Sequence, residues 1–74
     1  MNEERDKIRL TKLGKKIKDI RDGLKLSQDD IASRCDVTKG NLSNIENGNK
    51  DFLVSTLFEI AKGLGVDPKE LLDF

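Results

Sequence analysis

The sequence has no histidine, tryptophan or tyrosine, and only one cysteine and one proline in 74 residues. These absences exclude most site chemistry. With no His and a single Cys there is no ligand set for zinc, no Ser/His or Cys/His nucleophile pair, and no disulfide within the chain. We therefore expect no enzymatic activity, no metal, no cofactor and no small-molecule substrate. Scarce cysteine also fits a reduced, cytoplasmic setting. Long apolar runs are missing as well. The longest is Phe52-Leu53-Val54, whereas about 20 apolar residues are needed to span a bilayer. Met1 to Lys7 is charged rather than apolar, so neither a membrane span nor a secretory signal is expected.

An excess of one charge is the next thing lacking: 14 Lys+Arg face 14 Asp+Glu. Taken alone, this argues against a nucleic-acid partner, since such partners select basic surfaces. The balance is uneven along the chain, however. Residues 1–50 hold 12 cations and 9 acids (+3), residues 51–74 hold 2 and 5 (−3), and Arg5 to Lys18 holds seven cations against one acid. A basic front and an acidic tail suggest two surfaces with different tasks.

No stretch alternates apolar and polar residues over strand length, so the expected class is all-α, about five helices. Leu10, Leu13, Ile17, Ile20 and Leu24 recur at helical spacing and predict a first helix over about Lys7 to Lys25, stopped near Gly23 and Lys25. Ser27 is an N-cap followed by Asp29 and Asp30, opening a short second helix with Ile31, Ala32 and Cys35 on one face. Thr38 caps a third helix, turned inward by Leu42 and Ile45 and ending near Asn47-Gly48. Val54, Leu57, Phe58, Ala61 and Leu64 trace a fourth helix, closed by Gly63 and Gly65. Asp67-Pro68-Lys69-Glu70 reads as a capping box that starts a short fifth helix. Residues 10–74 read as one domain, with 1–9 as a basic extension that either prolongs helix one or forms a loose arm.

Helices two and three, joined by a three- to four-residue turn, form a helix-turn-helix pattern. Ala32 is small where the two helices would cross, and Val37 fills the corner. With Leu42 and Ile45 inward, the outward stripe of helix three is Gly40, Ser43, Asn44 and Asn47, flanked by Lys39 and Asn41. An ordinary solvated face would be Glu, Lys, Gln and Ala; this stripe gives up about 2–3 kcal/mol of helix propensity. Side chains that both donate and accept, or none at all, are what reading base edges in a major groove requires. Lys39, Gly40, Asn41, Ser43 and Asn44 are therefore the candidate base contacts. Groups around them would hold phosphate: Ser27 and Gln28, Thr38, and the loop residues Asn49 and Lys50.

Several segments together resemble the Cro/C1-type helix-turn-helix family of bacterial and phage regulators. They are Gly14-Lys15-Lys16-Ile17, Ile20-Arg21, Leu26 to Ala32, Ile45-Glu46-Asn47-Gly48 and Leu57 to Val66. The resemblance covers Leu13 to Leu72. It implies a lambda-repressor-like five-helix bundle, a homodimer, and an inverted-repeat operator with the recognition helix over about 38–47. It also implies that Gln28 and Asn47 touch phosphate, and that Arg21 pairs with Glu46. That pair is expected to be structural, since both residues lie at the inward edges of their helices. Within the family, the length and the tight Asn47 to Ser55 connection resemble controller and small repressor proteins.

The remaining candidates weigh less. Cys35, on the apolar face of helix two, reads as a buried structural thiol. Asp29-Asp30 reads as helix-end stabilisation rather than acid/base chemistry. Leu71, Leu72 and Phe74 either pack onto helix one or, with neighbours from helix four, form a two-fold patch; the dimer is the expectation taken here. Pairing would set two recognition helices about 34 Å apart, one DNA turn. The expected function is thus a dimeric, sequence-specific transcriptional regulator bound to double-stranded DNA. The alternative is a protein-interaction module of the same fold, an antitoxin or anti-repressor.

Overall fold

The computed structural model describes residues 3–74, which form five helices: α1 Glu3–Gly23, α2 Gln28–Arg34, α3 Lys39–Glu46, α4 Val54–Leu64 and α5 Pro68–Leu71. Among the described residues there is no strand. Of the expected extension 1–9, residues 3–9 are the opening turns of α1, and Met1 and Asn2 lie outside the described residues.

Local chemistry sets the helix starts. The Ser27 hydroxyl accepts the Asp30 amide at 3.0 Å, and the Asp30 carboxylate accepts the Ser27 amide at 2.8 Å, a complete capping box. The Ser27 amide holds the Asp30 carboxyl below the usual carboxylate range. A depressed folded-state pKa adds stability that is present above the ordinary value and lost as pH falls through the folded one. Thr38 accepts the Asn41 amide at 3.1 Å. Asp67 caps α5 through the Lys69 amide at 3.0 Å with Pro68 behind it; the reciprocal Glu70 bond of the expected capping box is not made.

Three helices end in the same way. After α1, α3 and α4, a residue with positive φ (Lys25 at 59°, Gly48 at 70°, Gly65 at 74°) reverses the chain. The following amides (Leu26, Asn49, Val66) donate back five residues to Arg21, Asn44 and Ala61 at 3.0–3.1 Å. In α1 the left-handed position falls on Lys25 and not on Gly23. Leu24, expected on the buried stripe, therefore sits past the helix end and is about half exposed.

Ile17, Ile31, Leu42, Ile45, Ile60 and Leu71 are fully buried, with Val37, Leu57, Ala61 and Leu64 nearly so. Each of the Val, Leu and Ile side chains contributes about 1.5–3 kcal/mol by leaving water, so a few aliphatic residues supply most of the folding drive. The buried face of α4 is rolled from the expected one. Ile60 faces inward, while Val54 and Phe58 are more than half exposed. The reason is the α2 crossing, where Gly63 lets Ile31 and Cys35 approach the α4 backbone. The second close crossing is at Gly14, whose Cα faces the backbone carbonyls of Ile45 and Glu46. Ala32, expected at the helix-helix crossing, is only partly buried. Cys35 is likewise half-buried; its thiol donates to the Ile31 carbonyl, and burial pushes its pKa up, away from thiolate reactivity.

Candidate nucleic-acid interface

The orientation of α3 decides which residues the protein can offer to a partner. Leu42 and Ile45 are buried as expected. Lys39, Gly40, Asn44 and Asn47 are exposed on the opposite side, with Asn41 and Ser43 half-exposed beside them. Gly40 stands out. A Cβ built there meets nothing within 4 Å, and its φ is not positive. Neither packing nor backbone conformation asks for glycine at this position.

The helix is held from behind by a polar cluster joining three elements. Arg21 of α1 grips Glu46 of α3 bidentately, Nε to Oε2 at 2.7 Å and Nη2 to Oε1 at 2.9 Å. Its Nη1 donates to the Leu26 carbonyl at 2.9 Å, and Gln28 Nε2 of α2 donates to Glu46 Oε1 at 3.0 Å. The expected ion pair is therefore formed. The Glu46 hydrogen bond raises the guanidinium pKa above its ordinary value, outweighing the opposing effect of burial. The chain just past that same end of α3 is tied as well: Lys7 Nζ donates to the Gly48 carbonyl at 2.8 Å.

The expected phosphate-contacting residues lie around this helix in different states. Ser27 and Thr38 accept capping amides, and each hydroxyl keeps its own O–H for another acceptor. Gln28 is half-buried and its amide nitrogen serves Glu46, so its expected role is shared with the polar cluster. Asn47 and Asn49 are exposed at the end of α3. Lys50 reaches back to Asn41 Oδ1 at 2.7 Å, and Lys39 lies 3.3 Å from Asp29 of α2. Neither pairing is legible in the sequence, because each joins residues on different elements. The first turn of α3 contains no acid, whereas α2 opens with Asp29 and Asp30. The positive end of the α3 dipole is thus left for an anion, and that of α2 is answered internally.

On another side an apolar groove of about 500 Å³ runs between α1, α4 and α5, lined by Leu10, Leu13, Phe52, Leu53, Val54, Phe58 and Leu72. Leu71, expected at a dimer interface, is instead fully buried: it is the core anchor of α5 and offers nothing to a partner. Leu72 and Phe74 are more than half exposed, as are Leu53, Val54 and Phe58. Sequence reasoning placed neighbours from helix four in a two-fold patch without naming them, and it counted Val54 and Phe58 on the buried stripe. The signal was that α4 and the residue before it carry more apolar side chains than one stripe can bury. Among the described residues no group of His, Cys, Asp and Glu is placed to hold a metal, and no helix is long and apolar enough to cross a membrane.

Residues 14–73 match the family described as helix-turn-helix domain. The chain belongs to this helix-turn-helix family. Its similarity to control protein C.BamHI of Bacillus amyloliquefaciens is 39% identity over 62 residues, 82% of this chain and 76% of that protein. The helix-turn-helix fold superposes on the restriction-modification controller protein C.AhdI from Aeromonas hydrophila with a TM-score of 0.80. That match covers 84% of this chain and 94% of C.AhdI at 24% identity. The controller protein C.Esp1396I, solved as a tetramer in complex with its natural 35-base-pair operator, matches with a TM-score of 0.75 and 29% identity. Here the coverage is 86% of this chain and 95% of that one. These helix-turn-helix relatives carry the names of controllers and not of enzymes.

Proposed function

We propose that the chain is a sequence-specific DNA-binding transcriptional regulator of the controller type, acting in the cytoplasm as a homodimer on an inverted-repeat operator, with residues 38–47 in the major groove. Residues 10–74 act as the DNA-binding domain, and the opening turns of α1 brace it. The observation that carries this reading is the outward stripe of α3. Its Gly, Asn and Ser residues lower helix propensity, and at Gly40 nothing in the fold compensates. An antitoxin or anti-repressor that left DNA behind would have no use for that stripe. The controller names of the relatives support the same reading, as does the operator complex of C.Esp1396I.

The test is a mobility shift on the upstream region of the protein's own gene against scrambled duplex. The expected preference is about 10³-fold or more, with affinity falling steeply as salt rises. Equal affinity for both duplexes overturns the reading. Gly40→Ala separates fold from function in the same assay. It is expected to stabilise the fold by about 0.5–1 kcal/mol, since Ala is the better helix former, while weakening operator binding at least about tenfold by holding the helix off the groove.

For the dimer, we place the two-fold contact on the exposed Leu53, Val54, Phe58, Leu72 and Phe74. So large an apolar share of a small domain's surface is the mark of an interaction site. An isologous contact matches the two-fold symmetry of an inverted repeat. Phe58→Glu, at an exposed position, is expected to leave the monomer folded and to shift sedimentation to the monomer. A dimer unchanged by this variant would move the interface elsewhere.

A further inference from the structure

We propose that Lys50 is a positioning residue for base reading: it fixes the Asn41 amide with its oxygen held by the Lys50 ammonium, so that Asn41 offers donors to an acceptor edge such as guanine N7/O6. This rests on the DNA-binding reading above. The Asn41 backbone is set by the Thr38 cap, and Asn41 lines a shallow hollow with Lys50, Asp51, Phe52, Leu53 and Thr56. Phe52 packs against the core, and the Asp51 carboxylate accepts the Phe52 amide at 2.8 Å, which anchors the loop that carries Lys50. Among the described residues no carboxylate lies within ion-pairing distance of Lys50; its ammonium donates to Asn41 Oδ1 at 2.7 Å.

An ammonium has three donors and no acceptor, so it can meet only the oxygen end of the amide. The two-fold choice of an Asn side chain is thereby resolved by chemistry. With Oδ1 engaged, Asn41 is ill suited to the bidentate donor-acceptor pairing that reads adenine. Its Nδ2 hydrogens are left for an acceptor edge, and guanine presents two acceptors in the major groove. A lysine acting only as a phosphate anchor would carry no such information.

The experiment selects preferred sites from a randomised duplex pool for the wild-type protein and the Lys50→Met, Lys50→Arg, Asn41→Ala and Lys50→Met/Asn41→Ala variants. Lys50→Met is expected to lose about tenfold in discrimination at one position per half-site and to keep the others. Asn41→Ala and the double variant should share that altered profile, and Lys50→Arg, which keeps the donors, should retain the wild-type preference. Unfolding midpoints equal to wild type for the exposed Lys50 variants confine the effect to binding. If Lys50→Met weakens every sequence by one common factor and leaves each preference intact, Lys50 is a phosphate anchor and the proposal falls. A wild-type pool indistinguishable from the input overturns the DNA reading itself, and this assignment with it.

Discussion

Arg21→Met is expected to lower stability by about 3–5 kcal/mol, because it strands a buried carboxylate. The Glu46 side chain is 2% exposed, and two of its three side-chain hydrogen bonds come from Arg21. Without the guanidinium only the Gln28 amide remains, and the Leu26 carbonyl loses its donor too. A 74-residue domain at ~0.05–0.15 kcal/mol per residue has roughly 4–11 kcal/mol in total, so this one change removes a large share. Arg21→Met/Glu46→Leu should recover most of the loss, since the expense lies in the unpaired charge and not in the absence of a salt bridge. Urea unfolding of the two variants beside wild type measures both. A single-variant loss under about 1 kcal/mol would mean that water reaches the pair as it reaches a surface bridge.

What the sequence reveals is what short-range chemistry decides. The caps at Ser27, Thr38 and Asp67 are legible because an N-cap is read from its own next three residues. Leu42 and Ile45, three apart in a helix with no other apolar residue, allow only one buried face, and so the outward stripe follows. Periodicity decides less where apolar residues exceed one stripe. In α4 the 54-57-58-61-64 and 57-60-61-64 faces share Leu57, Ala61 and Leu64, and only the crossing with α2 selects the second. Leu71 and Leu72 are adjacent and equally apolar, yet the docking of a four-residue helix buries one and exposes the other. Polar pairings such as Lys50–Asn41 and Lys39–Asp29 depend on how loops and helices meet and leave no periodic trace.

Gly14→Ala is expected to be strongly disruptive, although alanine favours a helix by about 1 kcal/mol. The new Cβ would fall on the Ile45 carbonyl oxygen, and it would lie 2.6 Å from the Glu46 oxygen and 2.9 Å from its carbonyl carbon. All three are backbone atoms of the last turn of α3, so no side chain can rotate aside. Either α1 withdraws or that turn unwinds, at a cost of about 1–3 kcal/mol or more beyond the helix gain. The displaced turn carries Ile45 of the core and Glu46 of the polar cluster, and it leads directly into the Gly48 reversal. DNA affinity should therefore drop further than the folded fraction alone accounts for. Gly23→Ala is the matched control: same helix, same chemistry, but open space around the added carbon and no positive φ, so its stability should stay level or rise by up to about 1 kcal/mol. Thermal unfolding of the pair isolates the crossing. If Gly14→Ala melts with Gly23→Ala, the α1–α3 contact is not what fixes the angle of α3.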